Sequence, residues 1–101
     1  LDPFVRVGFA CESLKVTTRI MHIVAWLLTQ RAVESGEIAP GSARRPERRL
    51  GQAGESDPGV VQQLPAGAQR LVQASTELYA RVRRLDEESA GDNPVPRPAR
   101  A

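Results

Sequence analysis

Between Phe4 and Ser35 apolar residues recur at three- and four-residue intervals, and no proline interrupts them. That is the spacing of a helix and not of a strand. Asp2-Pro3 supplies the start: a carboxylate accepts from the free N–H groups of the first turn, and proline stands where no N–H is needed. Gly36 suits the left-handed residue that follows a last turn, and Arg31 complements the helix dipole there. The pattern predicts one helix over about residues 4–35, roughly 45 Å long at 1.5 Å per residue. Gly8 weakens it by roughly 1 kcal/mol relative to alanine without breaking it.

Around this helix the apolar residues form two stripes. Leu14, Met21, Ala25, Leu28 and Ala32 make one; Phe9, Ile20, Ile23 and Leu27 make the other, with Val24 between them. Together they exceed the ~100° stripe of a helix that buries a single face. One neighbouring helix cannot cover so much, and an exposed patch of this width invites association. The helix is therefore expected to be sandwiched, by an element absent from this chain or by a second subunit. The remaining sector holds Glu12, Lys15, Arg19, His22 and Gln30, with Trp26 among them. Trp26 admits two readings. Its ring can lie on the edge of the core with its N–H in water. Alternatively Lys15, Arg19, His22, Trp26 and Gln30 form a protein-binding surface, since Trp and Arg are enriched at interface centres.

Residues 36–59 change character, punctuated by Gly36, Pro40, Gly41, Pro46, Gly51, Gly54, Pro58 and Gly59. A turn of helix is conceivable around Glu47–Gln52; the rest is predicted loop, long for a compact domain. Asp57-Pro58 repeats the capping signal, Pro65 interrupts soon after, and a single turn at 58–63 followed by a helix over 65–88 results. In that helix Ala68, Leu71, Ser75, Leu78, Val82 and Leu85 form the expected packing seam. The last residues, "AGDNPVPRPARA", are predicted to be a disordered tail. The fold class is all-α: a helical hairpin or three-helix-bundle type in residues 1–89, followed by a Pro/Arg tail over 90–101.

Composition narrows the chemistry. The net charge is +2, and it is spread evenly: residues 1–43 and 60–89 each balance, and the excess lies in 44–59 and 90–101. A nucleic-acid binder concentrates basic charge on one face, so that class rests only on the loop arginines Arg44, Arg45, Arg48 and Arg49. The longest uncharged apolar run, Ile20 to Gln30, is about half of what a membrane span needs. Cys11 and His22 are the only residues of their kinds; eleven helical residues set them ~16 Å apart, too far for a nucleophile–base pair. Cys11 is expected at the edge of the core. His22 lacks metal-ligand spacing. Asp86, Glu87 and Glu88 look like a solvated helix end. No enzyme and no cofactor is predicted. The chain starts on Leu1 without a basic leader, which suggests a fragment of a protein that is not secreted.

Three stretches carry a resemblance: "ACESLKVTTRIMHIVAWLLTQRAVESGEI", "RPERRLG" and "LPAGAQRLVQASTELYARVRRLD". They are similar to the alphaproteobacterial RcdA family, regulators of CtrA degradation. Leu14, Thr17, Thr18, Arg19, Met21, Trp26, Leu27, Leu28, Gln30, Arg31, Ala32 and Val33 match its helical core motif. Leu78, Tyr79, Arg81, Val82, Arg84, Leu85 and Asp86 match a later one. The resemblance covers roughly residues 6–88. It implies a three-helix bundle that dimerises, cytoplasmic and at the cell pole, and a non-enzymatic adaptor that links substrates such as CtrA to the ClpXP protease beside other adaptors. It also implies a tail with Pro94, Pro96, Arg97, Pro98 and Arg100 as candidate contacts. Members of that family carry a further helix before the motif, so this chain is expected to be truncated. The alternatives are a nucleic-acid-associated protein using Arg44–Arg49 and a plain helical dimerisation module.

Overall fold

A computed structural model describes residues 2–90. Helix α1 spans Pro3–Glu34, α2 is a short turn at Pro40–Ala43, α3 is another at Pro58–Val61, and α4 spans Ala66–Ala90. A single 3₁₀ turn at Pro46–Arg48 lies between α2 and α3. Both long helices and the loop between them fall where the pattern puts them, within two residues. The Asp2 carboxylate accepts from the Phe4 N–H. Gly36 adopts φ +81°, where a side chain is disfavoured. At α3 the Asp57 carboxylate accepts from Gly59 N–H.

What the pattern does not reveal is direction. Arg19 of α1 pairs with Ser75 of α4, and seven residues further along Trp26 pairs with Asp86. The two long helices therefore run parallel. A short turn cannot join parallel neighbours, so the connection has to travel back along the pair. It does so in close to the straightest way available. Arg49 reaches Asp86, beside Trp26, and the Asp57 N–H reaches Glu12. Over that distance α1 climbs fourteen residues, about 21 Å, which the eight steps from Arg49 to Asp57 cover only when nearly extended.

This returning segment, residues 49–57, lies over the groove between α1 and α4, and it decides which face of α1 is inside. The buried residues of α1 are Glu12, Arg19, Ile23 and Trp26; those of α4 are Val72, Ser75, Tyr79, Val82 and Asp86. Ile23, Trp26, Tyr79 and Val82 form the apolar centre, with Leu50 and Ala53 of the returning segment packed against it. The sector of α1 expected to face solvent is thus its inner face. Of the apolar stripes Ile23 turns inward, but Leu14, Met21 and Leu28 are all more than 60% exposed, and Ile20, Val24 and Leu27 are exposed as well.

The seam on α4 is also rotated from the predicted one. Ser75 and Val82 are buried as expected, but Leu71, Leu78 and Leu85 are exposed, and their neighbours Val72, Tyr79 and Asp86 point inward. Tyr79 and Asp86 have polar ends that find partners in the returning segment, which a leucine cannot do. Cys11 is exposed and not at the core edge. Gly8 is explained by Val60 of α3, whose Cγ1 lies 2.6 Å from where a Cβ would stand; the helix accepts the glycine because α3 sits on it.

The rotated seam has a direct test in chemical denaturation at a concentration where the chain is monomeric. Val82→Ala is expected to lower stability by about 2 kcal/mol, through lost burial and a residual cavity. Leu85→Ala, at an exposed position, is expected to change it by less than about 0.5 kcal/mol.

Candidate functional site

Two polar clusters occupy the inner face, one near each end of the returning segment. In the first, Arg19 is only 2% exposed. Its guanidinium donates to the Ser75 hydroxyl (2.9 Å), the Gly54 carbonyl (3.1 Å) and the Ser56 hydroxyl (2.8 Å). One side chain of α1 thereby ties α4 and the returning segment together. Arginine suits this task because its planar fork holds several donors in fixed directions. The Ser75 hydroxyl in turn donates to the Val72 carbonyl (2.8 Å).

One turn-pair earlier, Glu12 is 1% exposed. Its Oε2 accepts from the Lys15 ammonium (3.0 Å) and the Asp57 N–H (3.1 Å). Burial disfavours the ionised form, but the Ser56 hydroxyl, the Asp57 N–H and the Lys15 charge outweigh it and hold the carboxyl below the usual carboxylate range.

The second cluster centres on Asp86. Its Oδ1 accepts from the Trp26 indole N–H (2.9 Å), and Arg49 Nε donates to both carboxylate oxygens (2.9 and 3.0 Å). The hydrogen bond to Asp86 is the main reason that the Arg49 guanidinium binds its proton even more firmly than usual. Between the clusters the Tyr79 hydroxyl donates to the Gly51 carbonyl. His22 packs directly over Gly51, leaving no room for a side chain there. Arg83 lies over the outer face of the Tyr79 ring, 5.3 Å from its centroid.

Of the five candidate protein-binding residues, three are engaged within the chain. Arg19 and Trp26 are buried, Lys15 is paired with Glu12, and His22 and Gln30 are half-covered. The Trp26 N–H meets a carboxylate and not water. Asp86 is no solvated helix end, and Arg49 is no free loop cation. Arg44 also leans on the fold, its Nε 3.4 Å from the Ser89 carbonyl. The tail candidates Pro94, Pro96, Arg97, Pro98 and Arg100 lie outside the described residues. Glu12, Tyr79 and Asp86 are the residues that sequence reasoning passed over, although a signal existed. Glu12, Arg19 and Trp26 are spaced by sevens, as are Val72, Tyr79 and Asp86, which is the repeat of two helices in contact.

Between α1 and α4 a groove of about 190 Å³ is lined by Phe9, Val16, Thr17, Ala68 and Leu71 among others, and Ile20, Val24, Leu27, Leu78 and Leu85 are exposed on the same two helices. Among the described residues no three His, Cys, Asp or Glu side chains are grouped so as to hold a metal ion, and no helix is long and apolar enough to cross a membrane. The geometry offers docking surface and structural ion pairs.

These features define an all-α helix-pair protein whose polar face is internal and whose apolar face is open. The chain belongs to the family described as "Protein of unknown function (DUF1465)", whose model matches residues 1–101. No curated protein and no solved structure matches it.

Two outcomes follow from the polar clusters. Asp86→Ala strips two buried or half-buried donors of their acceptor and is expected to destabilise by about 3 kcal/mol; thermal melts of the variant measure it. A lowered folded-state pKa for Glu12 means stabilisation that is fully present above the unfolded value, about 4.3, and is lost as pH falls through the lower folded value. Urea titrations from pH 7 downward are expected to show that loss, and Glu12→Gln is expected to flatten it while weakening the fold at neutral pH.

Proposed function

We propose that this chain is a non-enzymatic adaptor or regulator of ATP-dependent proteolysis, which helps deliver CtrA or similar substrates to ClpXP as an RcdA-type protein. The motif from Leu14 to Val33, with its later counterpart from Leu78 to Asp86, supports the proteolytic part of this reading. The observation that carries the partner-binding part is the open apolar half of α1: Leu14, Met21 and Leu28, continued by Ile20, Val24 and Leu27. A helix that turns Glu12 and Arg19 inward and keeps these residues outside is built to be covered by something else. A second copy is one occupant, as in the homodimer that the resemblance implies; substrate, protease or co-adaptor are others.

Delivery needs no catalytic group. Binding substrate and protease on one body turns capture into an intramolecular step, with an effective concentration set by the geometry of the two sites. A rigid helix pair supplies the geometry. The cytoplasm and the cell pole are the places where such work is expected.

Nucleic-acid association through Arg44, Arg45, Arg48 and Arg49 is the second reading, but Arg49 is held by Asp86 and Arg44 reaches Ser89. The two readings part in salt. Nucleic-acid affinity through several phosphate contacts falls on the order of a thousandfold between 50 and 200 mM salt, and apolar docking does not.

The test is a reconstituted degradation assay with ClpXP and CtrA. Wild-type chain is expected to accelerate substrate loss. The triple variant Leu14→Glu, Met21→Glu, Leu28→Glu is expected to keep its circular dichroism and to lose about tenfold or more of that effect, since charges in an apolar interface are strongly unfavourable. Undiminished delivery by the triple variant contradicts the proposal.

A further inference from the structure

The returning segment is held loosely, and the surface beneath it carries charged and polar groups. None of its residues from Arg49 to Asp57 is fully buried. Only Leu50 and Ala53 pack against the apolar centre. Across residues 50–56 no backbone N–H donates to another backbone group. What holds the segment is a row of polar contacts at intervals. Arg49 grips Asp86, Gly51 accepts from Tyr79, Gly54 and Ser56 accept from Arg19, and the Asp57 N–H meets Glu12.

Such a segment has the marks of a unit that opens before the rest: few buried apolar contacts and a backbone without its own ladder. The underside strengthens the case. Of the groups it covers, Glu12, Arg19 and Asp86 carry charge and Ser75 carries a hydroxyl. Lifting an apolar lid exposes hydrocarbon to water, whereas lifting this one returns charged groups to a solvent that hydrates them well. Meanwhile the helices keep contacts of their own, Ile23 and Trp26 with Tyr79 and Val82 and Arg19 with Ser75, while Asp86, which Arg49 holds at both oxygens, is released to water and lets go of the Trp26 N–H.

We propose that residues 49–57 are a polar latch, which opens as a unit while α1 and α4 stay folded and paired, and thereby uncovers Arg19, Trp26 and Tyr79. Closed, the latch masks the only tryptophan and the most deeply buried arginine of α1. Open, it presents them with Lys15, His22 and Gln30 as one strip along α1. The use of that strip rests on the partner-binding reading above; the opening itself does not.

Trp26, the single tryptophan, reports on the latch directly. Hydrogen exchange of its indole N–H is followed by NMR together with the backbone amides of Ile23 in α1 and Val82 in α4, each rate normalised to the unfolded chain. In the wild type the indole is expected to be protected about tenfold less than either amide, because it exchanges through a smaller opening. Arg49→Ala is expected to speed the indole about tenfold more while moving the two amides less than about threefold. Ser56→Ala, which loosens the other end, serves if Arg49→Ala does not fold, with the same expectation. Equal protection of indole and amides in the wild type overturns the proposal. So does a latch variant in which all three accelerate together, since exchange then runs through global unfolding alone. No partner is present in the measurement, so its failure leaves the adaptor reading untouched, and failure of the degradation assay leaves the latch untouched.

Discussion

Two helices that run the same way cannot be joined by a tight turn; the chain has to come back before the second can start. Here that return is residues 35–65, and its middle portion lies against both helices. The rest of the architecture follows from this constraint. An extended backbone has carbonyls and amides to satisfy, so the faces it covers must offer donors and acceptors. α1 offers Arg19 and Glu12, and α4 offers Tyr79 and Asp86. A polar inner face on α1 leaves its apolar stripes on the outside. The open hydrophobic surface is thus the complement of an interior that serves a returning strand of chain.

Much of this was legible before any coordinates. Asp2-Pro3, Gly36 and Asp57-Pro58 mark element ends through local physics, which tertiary contacts do not override, and the helices end accordingly. The excess of apolar surface on α1 was legible too, because it follows from counting residues around a cylinder. The orientation of the helix was not. Hydrophobic pattern assigns apolar residues to the core, and a chain that leaves its apolar face open breaks that rule. Trp26 was the clue: a large aromatic residue in the polar sector is explained once its N–H has Asp86 to bond. Leu71, Leu78 and Leu85 misled for the same reason. They look like a seam and are one, turned toward a surface that the described residues do not fill. The partnership of Arg19 with Ser56, thirty-seven positions away, depends on the direction of α4, which no local signal encodes.

The division of labour between the two faces has a functional logic. Fixed hydrogen bonds from arginine, tyrosine and tryptophan specify one geometry for the inner face. Apolar docking outside is tolerant of detail and suits a body that meets more than one partner. The adaptor role proposed above would draw on both, a defined scaffold and a surface for others.

The central claim is that α1 turns its polar sector inward and its apolar sector outward, and the chain carries one natural probe of each. Met21 and Trp26 are the only residues of their kinds; one is 62% exposed and the other 7%. Brief oxidative labelling of dilute protein, read by mass spectrometry, compares them in the folded and the urea-unfolded chain. The structure requires Met21 to oxidise nearly as fast when folded as when unfolded, with Trp26 strongly shielded. A shielded Met21 beside a freely oxidised Trp26 would mean that the helix faces the other way, and the account would fall with it.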